Sequence, residues 1–467
     1  MKKVIFLCGS PKGKSSSSYA IATYLSNFLN DSFEFIDVAE AQLSFNAAES
    51  EPAFERIVEK MKEASVVIWT FGAICWHAPM PLMLLFDKLF AQNHKFEGKI
   101  AASIMSGGHF LDDHILEKME YICEQLGFGY LSDISAEGVP GGYSDYEETE
   151  SSGRVLADQI NRALASNYVP YRKTTYVKPD YLSPLTKNPA FKVESTNITK
   201  DNRKKILVIT GKALSAGTAE ASIYESIQSH SRNSVELIEI ENENVNSCQL
   251  NYQCLFKVGV QCIQKDSFEK ILTKMKEADG LVYIGHCSSA FVDVHLQAFI
   301  SRTGSMLVMP ELKGKYGFVA AVGGGPLGKD TAMYLDKLIR RYGVHSVAKL
   351  ADGDNQSQDF SKSVKWAVQN LDQAMDEGWK MADRYTARSE HYFMREAAAE
   401  VGMISRRMFK YFKKNRLFDF PFLFPTTILY HLLRSEKLSD FIVSKFQKTI
   451  IQKQEKRLRR HLEEFRK

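Results

Sequence analysis

A short apolar run, Val4 to Leu7, ends in Cys8-Gly9-Ser10-Pro11-Lys12-Gly13-Lys14 and four successive serines, Ser15, Ser16, Ser17 and Ser18. That order of residue types suits a phosphate. A strand delivers the loop, Gly9 and Gly13 let the backbone approach an anion, and hydroxyls with helix N-terminal amides donate without a metal. Lys12 or Lys14 adds a charge. Gly-Ser-Pro with serines is also an ordinary strand-to-helix turn, and the position directly after the first strand favours phosphate. About two hundred residues later a looser version returns as Gly211-Lys212-Ala213-Leu214-Ser215-Ala216-Gly217-Thr218, so the chain reads as two tandem copies of one nucleotide-binding unit.

The elements that must carry these loops alternate. In the first copy, strands are expected at residues 4–9, 33–38, 66–71, 100–106 and 130–134, and helices at 19–30, 53–64, 79–90, 112–126 and 147–166. Residues 66–71 are almost continuously apolar, as a central parallel strand buried on both faces must be. The second copy repeats the pattern with strands at 205–210, 235–240, 281–285, 316–322 and 346–350, and helices at 218–229, 331–342 and 361–385. Lys274-Met275-Lys276-Glu277-Ala278 matches Lys60-Met61-Lys62-Glu63-Ala64 letter for letter, each just ahead of an apolar third strand. Such alternation implies an α/β fold of two tandem doubly wound, parallel, five-stranded sheets, each binding its ligand outside the carboxyl ends of the strands.

Residues 168–203 have no periodicity and contain Pro170, Pro179, Pro184 and Pro189, the composition of a linker. The expected division is therefore a first domain at 1–167, a linker at 168–203, a second domain at 204–386 and a basic helical tail at 387–467. From Arg388 to Lys467 there are 19 Lys/Arg against 9 Asp/Glu, while the whole chain of 467 residues carries a formal charge of only +4. Ile442, Phe446, Ile450, Leu458, Leu462 and Phe465 follow helical spacing on that basic background. The tail is a helical cap on the body, a peripheral anchor to a membrane's inner face, or, with no recognition motif present, a nucleic-acid contact. Seven cysteines without framework spacing point to a reducing compartment, and no run is long enough to span a bilayer, so a cytoplasmic location is expected.

Three loops in each copy make residues 1 to about 385 resemble the flavodoxin-like NAD(P)H-dependent oxidoreductases, the group of FMN reductases, quinone reductases and iron–sulfur flavoproteins. The serine-rich loop is similar to the family's phosphate loop for FMN. The second, Gly72-Ala73-Ile74-Cys75-Trp76-His77, precedes a helix ending in Asp87-Lys88, where the family has Asp-Arg. Gly72 and Ile74 stand where the family places Pro and Tyr. Trp76 is either an aromatic face for the ring or core filler, and His77 either a proton donor to the substrate or a surface residue. The third loop, Gly107, Gly108 and His109, is implied to face the ring's pyrimidine edge. The second copy has His286-Cys287-Ser288-Ser289-Ala290-Phe291 ahead of a helix ending in Arg302, then Gly323, Gly324 and Gly325.

The resemblance implies an enzyme: an FMN-dependent NAD(P)H oxidoreductase acting on a quinone or similarly flat small-molecule acceptor. The rival from another class is a non-enzymatic flavodoxin-like electron carrier, or a pseudo-dimeric scaffold whose second flavin site has decayed. Family members usually dimerise, so the two copies are expected to form that pair internally, with homo-oligomers a further option. Cys248, Cys254 and Cys262 lie where iron–sulfur flavoproteins ligate a cluster, but Asn251 replaces the fourth thiol, and no metal is expected. No dinucleotide fingerprint is present, so NAD(P)H would dock transiently over the flavin.

Overall fold

The computed structural model describes residues 2–107, 112–139, 142–143, 146–172, 182–194, 198–251, 253–256, 262–352, 358–379 and 406–415. Its first strand, Lys3–Cys8 (β1), is buried on both faces after Lys3. It pairs in parallel with Ser32–Asp37 (β2) on one side and Val66–Gly72 (β3) on the other. Ile100–Gly107 (β4) and Gly129–Val139 (β5) continue the sheet in parallel, and the two-residue strand Gly142–Tyr143 (β6) turns back antiparallel on β5. The order β2-β1-β3-β4-β5 reverses direction between β1 and β3, the switch point that opens a crevice at the carboxyl ends.

Helices Ser17–Ser26 (α1), Pro52–Glu63 (α2), Met80–Ala91 (α3), Asp112–Gln125 (α4) and Tyr146–Ser166 (α5) make the crossovers. Ile21 and Leu25 of α1, with Leu156 and Ile160 of α5, pack on Val4, Phe6, Ile68 and Ala102 in one core.

The second unit repeats this order. Lys205–Thr210 (β7), Ser234–Glu239 (β8), Gly280–Ser288 (β9), Tyr316–Val322 (β11) and His345–Ala351 (β12) form the parallel sheet β8-β7-β9-β11-β12, with Phe291–Val292 (β10) antiparallel to β9. Its helices are Ala219–His230 (α6), Gln253–Phe256 (α7), Phe268–Glu277 (α8), Val294–Ser301 (α9), Gly304–Val308 (α10), Gly328–Arg341 (α11) and Gln358–Glu377 (α12). The five-stranded parallel sheets expected from sequence are present, each with one short antiparallel strand added.

Two expectations change. The last helix was expected to reach residue 385 but stops at Glu377, because Gly378 adopts a left-handed φ of 66° and its amide and that of Trp379 both close on the Ala374 carbonyl. Residues 286–288, expected in a loop, belong to β9, which stays paired with β11 through His286 and then with β10.

The described residues fall into two compact units. The first takes the residues up to Leu185 together with Cys248–Leu250, and the second takes Thr186–Ser247 and the described residues from Asn251 onward. Part of the stretch 168–203 is thus built into the second unit. Within that unit Phe191 packs on Phe360 edge to face, and Lys365 pairs with Glu194 at 2.9 Å.

Each unit hides one cation at the end of the helix after its third strand. Lys88 of α3 is wholly buried, 2.6 Å from Glu51, and donates to the carbonyls of Asn46 and Glu49. Arg302, just past α9, pairs with buried Asp266, donates to the carbonyls of Asn246 and Gln264, and lies 4.4 Å over the Phe268 ring. The helix-end signature therefore ties down the loop that follows the second strand.

Of the basic tail, Arg406–Lys414 (α13) is described. Its Met408 and Phe412 are buried against Met309, with Leu255, Val308 and Tyr411 beside them. Arg407 pairs with Glu311 at 2.9 Å, and the Tyr411 hydroxyl donates to the Pro310 carbonyl. The amphipathic stretch from 439 lies outside the described residues. Among the described residues no helix is long and apolar enough to cross a membrane.

Candidate functional site

In the first unit the serine-rich loop leaves β1 at Gly9, whose amide donates to the Thr70 carbonyl of β3. Gly9 has no room for a side chain: a Cβ there would lie 2.7 Å from Leu82 Cδ2, deep in the core. The loop is therefore clamped where β1 and β3 diverge. Ser10 is buried and its hydroxyl accepts from the Lys12 amide at 3.3 Å. Ser16 caps α1, accepting from the Tyr19 amide and donating to the Gly13 carbonyl. Ser18 is buried beside Ser16 at 3.3 Å, Ser17 is half-buried and Ser15 is exposed. Burial lowers the Lys12 ammonium's pKa below the usual lysine range, and the nearby Cys248 thiol acts in the opposite sense. A half-buried cation, buried and half-buried hydroxyls and the start of a helix thus meet at a sheet switch point, groups of the kind that can bind a phosphomonoester.

The second loop is a tight hairpin. Ile74 and His77 exchange both backbone hydrogen bonds, at 2.9 and 3.0 Å, around Cys75 and Trp76. Both tip residues are left-handed, with φ of 49° and 62°. Paired positive φ defines a type I′ turn, which normally takes Asn or Gly, so Cys and Trp hold it at a cost of roughly 1–3 kcal/mol each. Ile74 is buried, Cys75 and Trp76 are half-buried, and Trp76 is thereby displayed at the tip rather than packed as core filler. His77, expected on the surface or as a proton donor, is instead buried. Burial, with Lys118 and His114 nearby, holds its pKa well below the ordinary histidine value, so it is neutral at physiological pH. Ala73 donates its amide to the Ser106 carbonyl, and a Cβ on Gly107 would sit 3.1 Å from Ala73. Gly72, Ala73 and Gly107 thus form a small-residue edge beside the hairpin. Gly108 and His109 lie outside the described residues.

The second unit has the same layout with a different content. Its hairpin tip, Ser289 and Ala290, is also left-handed, with φ of 47° and 66°. Gly323, Gly324 and Gly325 are all left-handed, with φ of 78°, 71° and 51°, and buried. They do not face open space. A Cβ on Gly324 would sit 2.7 Å from Cys287 Cβ, and one on Gly323 would sit 2.9 Å from Asn188 Nδ2. Gly324→Ala should accordingly cost about 2–4 kcal/mol, combining a left-handed residue with overpacking, measurable as a lowered urea midpoint.

Ser215 is exposed, and Thr218 caps α6, donating to the Ser215 carbonyl at 2.7 Å and accepting from the Ala221 amide at 3.3 Å. His286 Nδ1 lies 2.8 Å from Glu220 Oε1, and both side chains are buried. Burial alone would push the Glu220 carboxyl up, but His286 more than offsets it and holds the carboxyl below its usual range.

The three cysteines between β8 and α8 divide between the two units. Cys248 belongs with the first unit, where Leu250 lies against Gly72 at 3.7 Å from a Cβ built there. Cys254 and Cys262 belong with the second, and Cys262 donates its amide to Glu269 at 2.8 Å. Among the described residues no group of three or more His, Cys, Asp or Glu is placed to hold a metal ion.

Residues 2–136 match the sequence profile of the NADPH-dependent FMN reductase family, which spans the first unit from β1 into β5. The fold, the clamped serine loop and this match define the class. Over those residues the first unit is that of a flavodoxin-like, flavin-dependent NAD(P)H oxidoreductase, with FMN as cofactor and NAD(P)H as electron donor. No curated protein sequence matches it. Among solved structures it is similar to an NAD(P)H:quinone oxidoreductase from Methanothermobacter marburgensis, at 18% identity over 35% of this chain and 95% of that one, with a TM-score of 0.28. It is also similar to an FMN-dependent NADH-azoreductase from Bacillus anthracis, at 14% identity over 35% of this chain and 100% of that one, TM-score 0.28.

Proposed function

We propose that the first unit reduces a quinone or a similarly flat, uncharged acceptor. In this reading Ser10, Lys12, Ser15, Ser17 and Ser18 hold the FMN phosphate, and Gly72, Ala73, Ile74, Cys75, Trp76 and Gly107 border the ring. FMN supplies a two-electron centre that takes a hydride from NAD(P)H and gives it up again. The observation that carries the acceptor class is the composition of the ring border. It has small residues, an aliphatic side chain and a displayed indole, and none of its residues is charged. Such an edge accepts a planar neutral molecule by stacking and burial rather than by ion pairing. His77 is neutral and buried, so the proton that joins the hydride on the acceptor comes from water.

Anaerobic titration tests this. One equivalent of NADPH or NADH should bleach the flavin band of the FMN-loaded protein, and one equivalent of menadione should restore it. A flavin that neither nicotinamide reduces would replace this reading with an electron carrier, and protein that takes up no FMN would leave a scaffold. A flavin reduced by NADPH but not reoxidised by menadione would remove the quinone while leaving the oxidoreductase.

A further inference from the structure

We propose that the second unit's crevice is closed by the chain's own residues 188–190, so that each chain takes one FMN and takes it in the first unit. The inference rests on the reading of the first unit as the FMN site and concerns what became of the second.

The geometry is local to the second unit. Asn188 touches all three loops that line the carboxyl ends of its strands. Its carbonyl accepts from the Ala219 amide at 3.0 Å, the first amide of α6 and a donor that a phosphate would otherwise take. Its side-chain Nδ2 lies 3.4 Å from His286 Nδ1, on β9. The same nitrogen stands 2.9 Å from where a side chain on Gly323 would begin. Pro189 forms a β-bridge with Thr218, and the Ala190 amide donates to the Gly217 carbonyl at 3.0 Å. Residues 188–190 therefore lie as a short strand along the loop and the helix start.

Further donors of the loop and helix start are engaged too. The Ala213 amide donates to Glu241 Oε2 and the Leu214 amide to Glu239 Oε1, each at 2.7 Å. These are charge-assisted bonds, among the stronger ones a loop amide can make. The Ala221 amide goes to the Thr218 hydroxyl. A phosphate entering here would meet two carboxylates already on its amides and would be repelled by both. The first unit differs at the same register. Asp37 ends β2 as Glu239 ends β8 and also stands beside its loop, 2.6 Å from where a side chain on Gly13 would begin, but its carboxylate accepts from the amides of Ala39 and Glu40 in its own turn rather than from loop amides.

The deeper part of the crevice is filled as well. Gly323 and Gly324 pack on Cys287, His286 and Asn188, so the glycine loop faces protein. Beneath it the Glu220–His286 pair is buried, with Glu220 Oε2 and His286 Nε2 making no further hydrogen bond among the described residues. An ionised buried carboxylate with its histidine suits a polar chain segment better than a flat ring.

The test uses the full-length protein. It is equilibrated with FMN at ten times the dissociation constant, and bound flavin is released by denaturation and counted per chain. One FMN per chain is expected. The Lys12→Glu chain, with an affinity about 100-fold weaker by loss of the phosphate contact, should hold less than about a tenth of that at the same concentration. Two FMN per chain, or an undiminished single FMN in the Lys12→Glu chain, would overturn the closure. Absence of flavin from the unmodified chain would instead sink the FMN reading of the first unit. In that event amide exchange decides the closure independently. Peptides covering 186–192 and 213–222 should exchange slowly and identically with and without FMN, and fast exchange there would overturn it.

Discussion

Arg302→Ala is expected to destabilise the second unit by about 3–5 kcal/mol, because it leaves Asp266 buried without its counter-charge. For a unit of this size that corresponds to a fall in melting temperature of roughly 6–20 °C. The guanidinium is fully buried, Asp266 nearly so, and the same group holds two loop carbonyls and stacks on Phe268. Arg302→Lys should recover little, since an ammonium lacks the planar fork that reaches carboxylate, carbonyls and ring together.

The pH dependence checks the assignment. Burial pushes the Asp266 carboxyl up, but Arg302 and the amides of Asn246 and Phe268 outweigh it and hold the carboxyl below its usual range. A carboxyl lowered in the folded state contributes stability above its unfolded value, about 3.9, and that contribution is lost as pH falls through the folded value. In the alanine variant only those amides still oppose burial and the carboxyl rises from its parent value, so the variant loses less stability on acidification than the parent does. The gap between the two proteins should therefore narrow as pH falls below about 4. A gap independent of pH would show that Arg302 acts through packing alone. Replacing the pair together, with Arg302→Met and Asp266→Leu, should cost far less than the single change.

Lys12→Glu should lower FMN affinity about 100-fold, near 2.7 kcal/mol, through loss of a charge-assisted contact to the phosphate and its replacement by a repulsion. Lys12 is half-buried in the loop, and burial already lowers its pKa. An ammonium in that position is weakly hydrated and meets an anion with little desolvation left to overcome. Lys14, two residues further and exposed, makes the control: Lys14→Glu should change affinity less than about threefold, because an exposed charge is screened. Flavin fluorescence quenching on titration measures both. Equal losses at the two positions would reassign the effect to the loop's net charge.

Much of this architecture was legible in the residues. Val66 to Phe71 could only be an interior parallel strand, and the copied Lys-Met-Lys-Glu-Ala segment fixed the correspondence of the two halves. The serine loop was legible because strand, glycine and hydroxyls act locally. Other features depend on contacts distant in sequence, and those were not. Asn188 sits in a proline-containing stretch without periodicity, and nothing near it signals that its carbonyl will cap a helix thirty-one residues on.

Cys75-Trp76 and Ser289-Ala290 lack the Asn or Gly that announces a type I′ turn, so the hairpins were invisible as hairpins. His77 looked like a loop residue because the bend that buries it is made by those same unannounced tips. Ser16 was grouped with its neighbours in the serine loop, and only the structure shows that it alone of the four is the helix cap. The helix end at Glu377 was the one miss with a local signal, since Gly378 stood in the sequence as a stop.

The docking of α13 bears on how the cationic end of this chain can be studied. Cutting before Arg406 to strip away positive charge would also unroof Met309, Val308 and Leu255 and take Arg407 away from the Glu311 carboxylate, leaving it Lys276. A shortened protein would then be stickier as well as less basic, and clumping after such a cut would report a bared greasy seat rather than a missing electrostatic tether.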